Sequence, residues 1–209
     1  MEKRVNRGEL VTKPQILILL FTIAYVIGFG IYYLIAKNYE FLWYVAILFF
    51  LIALVSFIHK KYRLTTGTIL GASIWGLIHM MGGSIYINGT KLYAFMIYPL
   101  VSADIAGTDI FRYDQFAHFY CYIFVTLILF YIFKHYIKED TSWLAFSVLL
   151  VFASIGIGAI NEIAEFIPVL FLENTGVGDY FNTLWDIVFN TLGALVGIFY
   201  LSMKRKIRN

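Results

Sequence analysis

The second half of this 209-residue chain carries acid, base and ligand-type side chains in an otherwise apolar sequence. His79 is followed by Gly82 and Gly83, and Asp114 and His118 stand in the segment YDQFAHF. Glu162 and Glu165 stand in NEIAEF, and Asp179 precedes Asp186 and Asn190 in WDIVFN. Asp114 and His118 are four residues apart, Glu162 and Glu165 three, and Asp186 and Asn190 four, so each pair shares one face of a helix. Two imidazoles with several carboxylates suit a divalent metal such as zinc, iron or manganese, with His79, Asp114, His118, Glu162 and Asp186 as candidate ligands. The same groups suit metal-free acid–base chemistry, with His118, Glu162, Glu165 and Asp186 as candidate catalytic residues and Glu165 as the base. No HExxH motif narrows the choice. The plain alternative is that these groups only bond helices together, worth about 0.6 to 2 kcal/mol each in a membrane. Cys121, one turn after His118, reads as a small apolar filler rather than a soft ligand. As the sole cysteine it allows no intrachain disulfide.

The elements that must hold these residues are membrane helices. The chain is 61% hydrophobic and only 14% charged, with a mean hydropathy of +0.78; a soluble domain is about 25% charged. Continuous apolar runs, each of roughly 20 residues, match the length a helix needs to cross a bilayer. They lack the alternation of a β-barrel. The spacing predicts an all-α, polytopic bundle of about six spans, over residues 15–36, 41–58, 66–87, 115–133, 142–172 and 183–203. The apolar piece 92–101 is too short to span, so it lies in the interface or re-enters, where it could cap the site as a lid. A single membrane domain, 15–203, thus lies between a basic arm, 1–14, and a basic tail, 204–209. The first run is too long for a signal peptide and lacks a convincing cleavage site, so it reads as an uncleaved helix. The fifth exceeds a hydrocarbon core of roughly 30 Å and must tilt or break, with Gly156, Gly158 and Pro168 as the places for a break.

Charge sets the expected orientation. Lys3, Arg4, Arg7, Lys13, Lys60, Lys61, Arg63, Lys134, Lys138, Lys204, Arg205, Lys206 and Arg208 fall on one side, and only Lys37, Lys91 and Arg112 on the other. Both termini are therefore expected in the cytoplasm, with the chain in the cell (inner or plasma) membrane and the bilayer as its partner. The formal charge is only +3, basic residues flank spans, and no nucleic-acid motif is present. A charged side chain near a helix centre costs about 2.5 to 3.5 kcal/mol on insertion scales. Spans one and two carry no acid or histidine, whereas the last four spans all hold their ionisable residues toward the outer leaflet. His59 and His135 read as solvated interface groups among basic residues. Trp43, Trp143 and Trp185 read as interfacial anchors, and Gly193 with Gly197 as a GxxxG packing face.

Across residues 70–200, the order of His79 with Gly82 and Gly83, YDQFAHF, NEIAEF, Asp179 and WDIVFNTLGALVG resembles an uncharacterised membrane family. That family is typified by the bacterial inner-membrane protein YjdF. The last three elements also resemble the VanZ-like group, in which an Asp…His pair opens one helix and an Asp…Asn-x-x-Gly pattern opens the last. Glu165 stands where many VanZ-like proteins have glutamine, which brings the chain nearer the YjdF type. The resemblance implies a compact helical bundle with an outward polar pocket, and the VanZ-like association with glycopeptide-antibiotic tolerance implies envelope or lipid-linked chemistry.

Three functions compete. The first is an intramembrane hydrolase or transferase, metal-dependent or acid–base, acting on a lipid-linked or amphipathic substrate through an outer-leaflet pocket open sideways to lipid. The second is a non-catalytic binding or transport protein, which needs a polar path to the cytoplasm and often shows inverted repeats, neither of which is visible. The third is a structural accessory subunit whose polar cluster locks the bundle.

Overall fold

The computed structural model describes residues 11–100, 110–138, 140–173 and 175–208. Most of Lys3, Arg4 and Arg7's basic arm, and residue 101 of the short apolar piece, lie outside these described residues. Among the described residues there are six long helices: α1 (Lys13–Ile35), α2 (Tyr39–Tyr62), α3 (Thr66–Ser84), α4 (Tyr113–Phe133), α5 (Trp143–Val169) and α6 (Tyr180–Arg208). Five of them, all except α3, are long and apolar enough to cross a membrane. This is the multi-pass helical bundle that the apolar runs predict.

The exception has a packing reason. α3 has 19 residues, or about 28 Å of helix, but glycines and His79 dilute its hydropathy. Those glycines are contact points. Phe124 lies on Gly71, the Tyr25 hydroxyl on Gly76, Tyr93 on Gly82 and Phe41 on Gly83. Small residues let neighbours approach the helix axis, and a helix wrapped by aromatics need not be apolar to avoid lipid.

Cross-links fix which helix ends lie together. At one end, Tyr33 donates to the Met80 carbonyl, Trp43 Nε1 donates to the Ala164 carbonyl at 3.1 Å, and Asn182 reaches Asp114 at 3.2 Å. At the other, Tyr62 and Tyr136 hydroxyls meet at 2.6 Å, and Trp143 Nε1 donates to Ser202 Oγ at 3.0 Å. Val26, Tyr33, Phe41, Tyr44, Val45, Leu48 and Met80 form the core of the α1–α3 half. Leu127, Phe146, Leu150 and Leu201 fill the second end of the α4–α6 half.

Three expectations need adjustment. The third span stops at Ser84 rather than residue 87. Beyond it β1 (Tyr86–Ile87) and β2 (Thr90–Lys91) pair antiparallel around Asn88 and Gly89, whose φ values are +51° and +82°. That is the Asn-Gly two-residue hairpin, where both turn residues need positive φ. The piece after it is a single 3-10 turn, Leu92–Ala94, followed by extended chain bridged at Met96 to Arg112. Second, α5 runs without interruption through Gly156 and Gly158 and ends one residue after Pro168. Its 27 residues make about 40 Å of helix, longer than a bilayer core of roughly 30 Å. Third, His59 is only 8% exposed, so it is a buried side chain and not a solvated one.

Candidate functional site

Local signals set the register of the site. Gln115 Oε1 accepts from the backbone N–H groups of Phe111 and Arg112 and closes the start of α4, so Asp114 falls in the first turn and His118 one turn further. At α6, Asp179 Oδ1 accepts from Asn182 N at 2.9 Å, a side-chain cap of the first turn. Asn182, Asp186 and Asn190 then follow at four-residue steps on one face, continued by Gly193 and Gly197. A Cβ at Gly193 would strike the Phe119 carbonyl, and one at Gly197 would sit 3.0 Å from Thr126 Cβ. The GxxxG face therefore seats α6 on the backbone of α4, as the motif predicts. That close approach carries Asp186 and Asn190 to His118.

His118 is the hub, buried at 6% exposure. Its Nδ1 lies 3.0 Å from Asn190 Oδ1 and 3.8 Å from Glu162 Oε1. Its Nε2 lies 3.5 Å from Asp114 Oδ1 and 3.8 Å from Glu165 Oε1. An amide oxygen thus faces Nδ1, which suits an Nδ1–H donor, while Nε2 faces the Asp114 and Glu165 carboxylates. Asn182 Nδ2 bridges Asp186 Oδ2 at 2.7 Å and Asp114 Oδ2 at 3.2 Å. Asn161 Nδ2 donates to Glu165 Oε1 at 2.7 Å. Ligand atoms of Asp114, His118 and Asp186 lie within 4.8 Å of one another, as do those of His118, Glu162 and Glu165. Three helices thus bring five of the six sequence-selected ionisable groups together.

The sixth, His79, sits apart. Its Nδ1 meets the Tyr93 hydroxyl, and its ring is surrounded by Phe41, Tyr44, Trp75 and Tyr93 at centroid distances of 5.1 to 6.1 Å. Burial holds the Tyr93 phenol well above the ordinary tyrosine range, so it bonds His79 as a neutral hydroxyl. The structure therefore does not group His79 with the converging ligand atoms, because the α3 face it occupies turns toward α2 and the 3-10 turn. A cleft joins the two places: Tyr44, Trp75, His79, Asn161 and Glu165 all line it. The short piece after the hairpin does reach this region, through Tyr93.

Charge balance is the site's main electrostatic feature. Four carboxylates share one imidazole among helices that are otherwise apolar, so they demand positive charge from protons or a cation. Two of their oxygens, Glu162 Oε1 and Asp186 Oδ1, are buried with no hydrogen-bond partner among the described residues, as is Asn190 Nδ2. Buried polar atoms without partners are rare and call for an explanation. Asp114 and Glu165 keep 19% and 17% of their side chains accessible, whereas Asp186 keeps 1% of its surface, so the cluster is deepest at α6.

Sequence reasoning missed several participants. Asn182 continues the Asp186–Asn190 spacing by one turn, and extending that pattern would have found it. Glu40, 6% exposed, lies just before the apolar run of the second span and accepts from Gly176 N at 2.9 Å, tying the α5–α6 loop to α2. Tyr93, Tyr44 and Trp75 carry no local signal, since only tertiary packing brings them to His79. Cys121 is not among the converging ligands.

A family model described as "Predicted membrane protein (DUF2238)" matches residues 16–206. No curated protein and no solved structure matches the chain. The chain belongs to that membrane protein family.

Proposed function

We propose that this member of the DUF2238 membrane family is an intramembrane hydrolase or transferase that uses a divalent metal, with lipid-linked or amphipathic molecules as substrates. The observation that carries the reading is that His118 joins two groups of ligand atoms, one with Asp114 and Asp186 and one with Glu162 and Glu165, beside the unpartnered buried oxygens of Glu162 and Asp186. One imidazole nitrogen with carboxylate oxygens is a donor set for zinc, iron or manganese. The Asn190–His118 bond supplies the outer-shell partner that metal-bound histidines use to fix the tautomer. A divalent ion held there supplies Lewis acidity toward a phosphoryl or carbonyl oxygen. Glu165, at the accessible side of the cluster and held by Asn161, is the group to take a proton from an attacking nucleophile. Glu162 and Asp186 hold the deep side, and His79 is left out of the ligand set.

The basic-residue bias supports cytoplasmic termini in the cell membrane, which puts the cluster at the outer leaflet. The likeness of residues 70–200 to YjdF-type and VanZ-like proteins supports envelope chemistry in the same leaflet. Transport is the weaker reading. Past Thr126 and Ser154, the buried side chains of α4–α6 among the described residues are Leu127, Phe146, Ser147, Leu150 and Leu201, none of them ionisable.

Metal analysis by mass spectrometry on chelator-free, detergent-purified protein tests the proposal. Near-stoichiometric metal in the native chain, lost in His118→Ala and Glu162→Gln variants of equal thermal stability, is the expected result. A metal-free native protein sinks the metal centre and returns the cluster to acid–base or structural roles.

A further inference from the structure

The cleft between α2, α3 and α5 is small. About 20 Å³ of it admits the centre of a water-sized sphere. By that measure about 10 to 15 Å³ holds one water, provided the water finds two to four polar partners. Tyr44 from α2, His79 from α3, and Asn161 and Glu165 from α5 all line the cleft and carry hydrogen-bonding groups, and Trp75 and Ala164 complete its wall. His79 is held there in a set orientation. Its ring packs on Tyr44 and Trp75 at centroid distances of 5.1 and 5.5 Å, and its Nδ1 meets the Tyr93 hydroxyl. Nε2 is therefore the nitrogen left for the cleft. Tyr93 is pinned in turn, because its ring lies on Gly82 where a Cβ would strike it. On the α5 wall, Glu165 turns Oε1 toward Asn161 at 2.7 Å, which leaves Oε2 for a donor.

We infer that this cleft seats a single water between His79 Nε2 and Glu165, and that His79 is its positioning residue. Tyr93 donates its hydroxyl proton to Nδ1, which puts the imidazole proton on Nε2, the tautomer that donates to a water oxygen. The water's own protons then face Glu165, whose ionised carboxylate only accepts. This deepens the proposed function and rests on it in one respect: the water is the nucleophile because Glu165 is the base of that reading. The water oxygen bonds the phosphoryl or carbonyl centre of an ester held at the cluster, and one water proton passes to Glu165. The same proton then leaves on the departing alcohol oxygen as its bond to that centre breaks. The reaction is therefore hydrolysis rather than transfer to a second organic acceptor. His79, outside the ligand set, and Tyr93, on the turn after the hairpin, both gain a task by it.

Nitrogen-15 and proton spectra of the full chain, labelled at histidine and purified in detergent, test this, with the His79 signals assigned by their loss in His79→Gln. The native protein should show His79 as the neutral Nε2–H tautomer, with a cross-peak from that proton to a bound water. Ala164→Leu, which fills the cleft from α5, should abolish the water cross-peak and keep the tautomer. Tyr93→Phe, which removes the donor to Nδ1, should lose the tautomer preference. The two variants act from different elements, so if melting curves show one of them unfolded the other still decides. An Nδ1–H tautomer or an imidazolium in the native protein overturns the inference. So does a native protein without the water cross-peak, or a cross-peak that survives in folded Ala164→Leu. Metal measured on the same preparations separates the two ideas: the water without metal overturns only the metal enzyme, and metal without the water overturns only the water site.

Discussion

Replacing Asn190 by alanine isolates one step of the site's logic. Asn190 is fully buried, and its Oδ1 is the acceptor 3.0 Å from His118 Nδ1. Without it the nearest acceptor, Glu162 Oε1 at 3.8 Å, is too far for a hydrogen bond. A buried donor left unpaired costs about 1 to 3 kcal/mol. The imidazole recovers part of that by turning toward Glu162, which draws Nε2 away from Asp114 and Glu165. Loss of such an outer-shell partner lowers metal affinity by about 10- to 100-fold, or about 1.4 to 2.8 kcal/mol. The assay is zinc competition against a chromophoric chelator in detergent, with melting curves on the same samples. Asn190→Asp, which restores an acceptor oxygen, should recover most of the affinity. A folded Asn190→Ala protein that binds zinc as tightly as the native chain refutes the positioning role of Asn190.

Two further outcomes follow from the same geometry. Exhaustive chelation should lower the melting temperature by roughly 5 to 10 °C, since metal held at about a hundred times its Kd adds about 2.7 kcal/mol, and His118→Ala should remove that difference; a chelator-insensitive melt in metal-loaded protein contradicts the site. Gly193→Ala drives a Cβ into the Phe119 carbonyl and should cost about 1 to 3 kcal/mol, whereas Gly156→Ala, with nothing within 4 Å, should be neutral or gain up to about 1 kcal/mol. Thermal melts in detergent check the pair, and equal stabilities would show that α4 and α6 do not meet as described.

How much of this was legible follows from the range over which each cause acts. The helices are local facts, written in apolar runs whose length is set by the bilayer, and the four-residue spacings of Asp114–His118 and Asp186–Asn190 put each pair on one face before any packing is known. The meeting of those faces was half legible, because Gly193 and Gly197 on the Asp186 face mark where a backbone can come close. The apolar Ile85, Tyr86 and Ile87 extend the expected third span past the helix end at Ser84, although Asn88–Gly89 is a strong turn signal. Sequence groups His79 with the ligands because depth along a helix can be counted from residue number. Rotation about the helix cannot be fixed without knowing which neighbours cover Gly76, Gly82 and Gly83.

The rest of the same bundle speaks against a merely structural cluster. Two polar pairs that join helices elsewhere are neutral and satisfied: Thr22 Oγ1 with Ser73 Oγ at 2.6 Å, and Thr126 Oγ1 with Ser154 Oγ at 2.8 Å. Such pairs suffice to hold membrane helices, at well under 2 kcal/mol apiece. The His118 cluster differs in each respect. It gathers acids instead of hydroxyls, leaves Glu162 Oε1 and Asp186 Oδ1 without partners, and keeps Asp114 and Glu165 partly accessible. Replacing a buried ionic group by apolar side chains of similar size is often neutral or stabilising, so four crowded carboxylates are a poor device for stability. Their arrangement is the one a bound cation would complete.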